Sequence, residues 1–203
     1  MVIHKKSPPR GDACAPKNLY LPAPLRLNMN SLKKLLETTF TVRSINFDND
    51  KWHHGLPNKS GWYFVETDAP LNVLTALPSP PSEYTNDAGV IKKCRNYDIK
   101  ARAKALESAL GQDSKIIYNE GLRPVYSGMA NNILNRAREH TFGHHGTAGL
   151  ALAKYNTLFG YQWKFHYIEN TLPSHSPAHK EITLKLGEQI WRANYGWPLL
   201  CSG

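Results

Sequence analysis

The sequence predicts an α/β (α+β) protein, a few strands flanked by helices, and three observations carry that reading. Residues 61–67, 123–129 and 161–169 have the β-branched and aromatic content of strands. Residues 131–140, 147–158 and 178–195 carry apolar side chains at helical spacing. From Tyr63 onward the order is strand, long insertion, strand, helix, helix, strand, helix, with no internal repeat.

In chain order, residues 1–29 are rich in Pro, Lys and Asn without a period and read as an arm. Asn30-Ser31 is expected to cap a short helix over 32–37, whose leucines recur at three and four residues. Residues 51–60 are polar and turn-like, and 61–67 form the first core strand. Residues 70–81, with Pro78-Ser79-Pro80-Pro81, are expected to be irregular because proline lacks an N–H and fixes φ. Residues 98–111 read as a helix capped by Asp98 and stopped by Gly111. Gly187 weakens the regularity of the final helix. The chain divides into a basic arm with a short helix (1–60) and a larger unit (61–203) with an insertion at 70–121.

A chain of 203 residues can bury a real core, and its 41% apolar content is ordinary for a globular protein. No apolar run approaches the ~20 residues of a membrane span. The basic start runs into Ser7-Pro8-Pro9 instead of an apolar signal region, so a soluble, cytoplasmic protein with no membrane partner is expected. Cys14, Cys94 and Cys201 form no CxxC pair, which argues against a cysteine zinc site. Pro177 interrupts His175 and His179, which read as loop or helix-entry residues. Lys and Arg outnumber Asp and Glu by 25 to 16, and residues 1–60 hold ten basic against four acidic side chains. Such a field suits a polyanion, although a solvated, solubilising surface explains it equally well.

Five residues combine into a chemical constellation. Gly61-Trp62-Tyr63 sets a tyrosine at the head of one strand, and Val125-Tyr126-Ser127-Gly128 sets a second on the next, with Gly128 allowing a tight exit. Arg136 and His140 share a helix face at i,i+4, while Ile133, Leu134 and Ala137 can pack on the other side. Glu188 comes from the last helix. Singly, each has an ordinary structural explanation; the joint order carries the reading.

Gly61-Trp62-Tyr63 followed by Tyr126-Ser127-Gly128 resembles the two half-motifs that name the GIY-YIG nucleases. Asn135-Arg136-Ala137-Arg138-Glu139-His140 resembles the family's arginine helix, closest to the restriction-enzyme branch. Glu188 to Trp191, with the later Pro198-Leu199-Leu200, is similar to the family's metal-binding glutamate helix. The resemblance covers about 61–69 and 122–203. It implies a small, mostly antiparallel three-stranded sheet flanked by helices, with the insertion between the first two core strands. It departs from the family in two places. The tyrosines stand 63 residues apart, and Cys201 occupies the position where the family has asparagine, with Asn194 as one substitute. The proline also comes one residue late, which keeps Glu181 as a lesser metal candidate.

The activity so implied is a metal-dependent endonuclease on double-stranded DNA, of restriction or defence type. Alternatives are a structure-selective or RNA-directed nuclease on the same scaffold, or an inactive nucleic-acid-binding module. Mg²⁺ or Mn²⁺ on Glu188 would neutralise the leaving oxygen, since a hard cation keeps its waters and needs few protein ligands. Arg136 offers a fork of donors to phosphate. The resemblance gives Tyr63 the role of base, its phenolate favoured by a nearby cation or His140, and gives Tyr126 an orienting role. Lys92, Lys93, Lys100, Lys104 and Arg138 are candidate backbone contacts, with a solvated helix face as the equal alternative for the insertion. Cutting both strands would take a homodimer on DNA, a transient pair or two sequential events.

Overall fold

The computed structural model describes residues 28–48, 51–110, 121–144 and 146–201. The arm at 1–27, Cys14 and the Gly111 helix stop lie outside the described residues. The first helix, α1, spans Met29–Leu36 and starts earlier than expected. Asn28, not Asn30 or Ser31, caps it: its side chain accepts from the Asn30 and Ser31 amides at 3.0 and 3.1 Å. Leu32 and Leu36, one turn apart, are fully buried.

The architecture is mixed α/β, and its main sheet has four strands where the sequence reading expects three. The order is β1 (Thr41–Ser44), β6 (Trp163–Glu169), β2 (Gly61–Thr67), β5 (Arg123–Ala130), with every neighbour antiparallel. The added strand, β1, is exposed at all four residues, so it carries no alternating pattern by which a sequence reading would find it. The central β2 is buried along nearly its whole length, as a strand covered on both faces must be.

The insertion is more ordered than its prolines suggest. Pro70 leads directly into α2 (Leu71–Ala76), because proline's fixed φ is compatible with helix entry; Leu71 and Leu74 are buried. A hairpin follows, β3 (Glu83–Thr85) and β4 (Ile91–Lys93), whose turn is held by the Asn86 side chain accepting from the Val90 amide at 2.8 Å. Then α3 (Ile99–Leu110) begins as expected, with Asp98 accepting from the Ala101 amide at 2.8 Å. Arg95 precedes this helix and shares no face with Arg102.

On one face of the sheet, Val65, Phe165, Ile133 and Ala137 of α4 (Ile133–Thr141), Leu74 of α2 and Ile99 and Ala103 of α3 form the larger core. On the other, Trp62 packs with Leu32, Leu36 and Leu184 of α5 (Pro177–Tyr195). The Ser176 hydroxyl caps α5, with Pro177 in its first turn.

Gly187 does not weaken α5; the packing requires it. A Cβ there would lie 2.3 Å from the Trp62 indole nitrogen, which donates to the Leu184 carbonyl at 2.8 Å. Gly187→Ala is therefore expected to destabilise by about 1–3 kcal/mol through overpacking, despite alanine's better helix propensity. Urea unfolding checks this; a variant as stable as the parent would contradict the close approach.

The predicted helix over 147–158 is absent. Two 3₁₀ turns, Leu152–Lys154 and Asn156–Leu158, follow an irregular segment in which Ala151 takes φ +53°. Gly149 lies against the backbone of α4, where a Cβ would sit 2.2 Å from the Glu139 carbonyl oxygen. That close approach, and the use of neighbouring backbone groups at the site below, override the local helical pattern. Among the described residues no helix is long and apolar enough to cross a membrane.

Candidate active site

The antiparallel register sets Tyr63 of β2 opposite Gly128 of β5 and Val65 opposite Tyr126, so both tyrosines share one face. Their rings lie nearly parallel with centroids 6.3 Å apart. Gly128 is not a strand exit, since β5 runs on to Ala130. Its function is room: a Cβ there would lie 2.5 Å from the Tyr63 hydroxyl.

Helix α4 presents Arg136 and His140 to this face. The Arg136 Nε donates to the Tyr63 oxygen at 2.9 Å, and the His140 Nε2 is 2.9 Å from the same oxygen. The Leu150 amide donates to His140 Nδ1 at 3.3 Å, which makes Nδ1 the acceptor and assigns the ring proton to Nε2. Tyr63 therefore accepts from two N–H groups at once. Its own proton must point in a third direction, and Tyr63 also lines a narrow pocket with Ser127, Gly128 and Glu188.

Two donors on one oxygen favour the phenolate, but burial outweighs them. Tyr63 is 2% exposed, and desolvation pushes its phenol well above the ordinary range against the pull of Arg136. Burial therefore opposes the phenolate that the resemblance assigns to Tyr63, while the neighbouring Arg136 cation favours it. Tyr126 is also raised, chiefly by burial. Burial acts to lower Arg136, yet the two phenols and Glu139 leave it raised overall and firmly cationic.

His140 is fully buried, and desolvation followed by the Arg136 charge holds it well below the usual imidazole range. It is neutral near pH 7. The unfolded chain takes up this proton below about pH 6.5 while the folded one resists, so stability falls as pH drops from there. The expected loss approaches ~1.4 kcal/mol per pH unit, and His140→Gln should flatten the slope. Urea titrations at several pH values check this; parallel slopes in the two proteins would contradict it.

Arg136 is more engaged than a free phosphate fork. Its NH1 donates to Glu139 at 2.7 Å, and its NH2 to the Ala148 carbonyl at 3.3 Å with a long 3.4 Å contact to Tyr126. Phosphate must displace the Glu139 carboxylate to gain a bidentate hold. Arg138, one turn along from Asn135, lines an open groove with Asn135, Glu139 and His144 beside this pair.

Glu188 of α5 approaches from the other side of the edge strand and lines the pocket that Tyr63 reaches. Arg192, one turn on, donates to Glu188 Oε1 at 2.5 Å and to the Ser127 hydroxyl at 3.0 Å; no hydrogen bond is made to Oε2 among the described residues. Burial raises the Glu188 carboxyl above its ordinary range, against the pull of Arg192 and Arg136. Glu181 faces solvent, paired with Lys185 at 2.7 Å, and stands apart from the site. Cys201 sits beside Ser127, its sulfur accepting from the Ser127 amide at 3.1 Å. Asn194 is exposed on α5 and takes no part in these contacts.

The structure thus brings Tyr63, Tyr126, Arg136, His140 and Glu188 together. It does not bring the insertion lysines with them. Lys92 and Lys93 are exposed on the hairpin, Lys104 is exposed on α3, and Lys100 is half-buried at its start. What the insertion does supply is Tyr97, whose ring meets Tyr126 edge-on at 5.6 Å and whose hydroxyl donates to the Leu200 carbonyl. Tyr97, Glu139, Ser127 and Arg192 were missed from sequence. Only the i,i+3 Arg136–Glu139 and i,i+4 Glu188–Arg192 spacings gave a signal. No protein-family model, curated protein or solved structure matches this chain.

Proposed function

We propose that the chain is a metal-dependent endonuclease of GIY-YIG type, acting on double-stranded DNA. The observation that supports it most is the Tyr63 oxygen held between Arg136 Nε and His140 Nε2–H, each 2.9 Å away. An ordinary buried tyrosine satisfies its hydroxyl by donating; this one is surrounded by donors, the environment a phenolate base needs. Tyr126 on the same guanidinium and Glu188 across Gly128 complete the set.

Glu188 fits a hard divalent cation in the single-carboxylate mode. Among the described residues its Oε2 makes no hydrogen bond, and a hard cation needs only one or two carboxylates because it keeps its waters. Mg²⁺ or Mn²⁺ bound there would supply positive charge to the leaving oxygen. The chain's own groups do the rest. Arg136 turns from Glu139 to the phosphoryl oxygens. His140 stays neutral and holds its Nε2–H on Tyr63. With its phenol proton given up to solvent, the Tyr63 oxygen would take a proton from the attacking water. A new P–O bond then forms as the bond to the leaving oxygen breaks.

Substrate class is tested by offering labelled duplex DNA, branched DNA and RNA side by side. Cutting of plain duplex is expected. Cutting confined to branched DNA or RNA would move the assignment to the structure-selective or RNA-directed alternative. Restriction or defence use and a dimer on DNA belong to the same reading and follow only if duplex is cut.

A further inference from the structure

An aromatic pocket lies beside the site, where α5 ends, and none of the groups above accounts for it. Its volume, open mouth included, is about 550 Å³, and Arg123, Pro124, Tyr195, Trp197 and Leu199 line it. Tyr195 and Trp197 leave 55% and 50% of their surface to solvent, an unfavourable exposure for two large rings lining one pocket. Gly196 between them takes φ +91°, a turn open to glycine that folds Trp197 back from the helix.

The Trp197 ring is fixed before anything binds. Its indole N–H donates to the Cys201 carbonyl at 3.0 Å, and the Arg192 guanidinium sits 4.6 Å from its centroid. Tyr195 is steadied by Trp191 at 5.2 Å. Arg123, another lining residue, is 7% exposed, donates through NH2 to the Ala69 carbonyl at 2.6 Å, and leaves its buried Nε without a partner. Among the described residues it makes no ion pair within 4.0 Å, although the Asp68 carboxylate acts on its charge from further away, so its Nε donor capacity is unspent.

We infer that this pocket holds one unpaired nucleobase of the substrate strand, its π-face on Trp197 or Tyr195 and an acceptor of that nucleotide toward Arg123. Rigid aromatics with a cation behind them match a base and its phosphate better than an aliphatic or cationic ligand. Arg192 touches both Trp197 and Glu188, so the pocket adjoins the cutting site and places the base near the cleaved bond. The inference rests on the nuclease reading and deepens it: the preferred substrate has a base out of its stack, by extrusion or by lack of a partner.

The test is binding by the full chain in EDTA. Fluorescein-labelled duplexes, one fully paired and one with a single unpaired adenine, are titrated against the parent, Tyr195→Ala and Trp197→Ala. The expected result is tighter binding of the bulged duplex by the parent, lost by about tenfold or more in either variant, with paired-duplex binding unchanged. Tyr195→Ala touches no catalytic group, which guards against an indirect effect through Arg192. Equal binding of both duplexes, or variants that bind both as the parent does, overturns the pocket assignment and leaves the nuclease reading standing. Failure to bind either duplex, or a single strand, overturns both.

Discussion

Tyr63→Phe is expected to abolish cleavage while leaving DNA binding close to that of the parent. The substitution removes one oxygen and keeps the ring, so the sheet and the stack on Phe165 at 5.3 Å persist. A positioned base contributes about 10²–10⁴-fold to rate, and no other group in the site takes over the role. His140 cannot, because its Nδ1 is engaged by the Leu150 amide and its Nε2 carries a proton. Stability should drop by about 1–3 kcal/mol, since Arg136 Nε and His140 Nε2–H both lose a buried acceptor. Single-turnover cleavage alongside a gel-shift titration separates the two effects. Cleavage that falls only in proportion to binding would remove Tyr63 from the base role.

The second large effect is expected from the smallest change. Gly128→Ala adds one methyl group 2.5 Å from the Tyr63 hydroxyl and 2.8 Å from its Cζ. The ring must move, and it is held on its other edge by Arg136 and His140. A displacement near 1 Å at a reacting group costs about 10²-fold in rate, and the overpacking about 1–3 kcal/mol. Activity should therefore fall about 10²-fold in a variant that still folds. A fully active Gly128→Ala would mean that the Tyr63 oxygen is not where the chemistry happens.

The helix carrying Arg136 and His140 was legible because Ile133 and Ala137, like Arg136 and His140, recur at four residues. Ile133 and Ala137 are buried against the sheet, but on the face that also buries His140 and not opposite the polar pair as expected, and Leu134 is only half-buried. The three aromatic strands were legible from their β-branched and aromatic content, each filling a covered position. Strand β1 was not, because all four of its residues face solvent and nothing in Thr41-Val42-Arg43-Ser44 separates an edge strand from a loop. Residues 147–158 misled in the opposite way. Their local pattern is helical, but Gly149 and Leu150 serve α4 with close backbone contact and an amide, a tertiary demand no local pattern records.

The same division runs through the site. The five candidate residues could be picked out because each is a chemical type on a recognisable element. Their controls could not. Glu139 on Arg136 and Arg192 on Glu188 left only their i,i+3 and i,i+4 spacings, and the close approach of Gly128 to Tyr63 follows from three-dimensional structure alone. The burial that opposes ionisation of Tyr63 is also a property of the fold, which a sequence argument from neighbouring charge does not see.

Supercoiled plasmid incubated with the purified chain in Mg²⁺, in Mn²⁺ and in EDTA, beside Glu188→Ala, tests the central claim most directly. The account predicts nicked or linear product with either metal, none in EDTA and none from the variant, with the variant folded and still binding DNA. Cutting that persists in EDTA, or in Glu188→Ala at the parent's rate, would contradict a cation-assisted site built on this carboxylate.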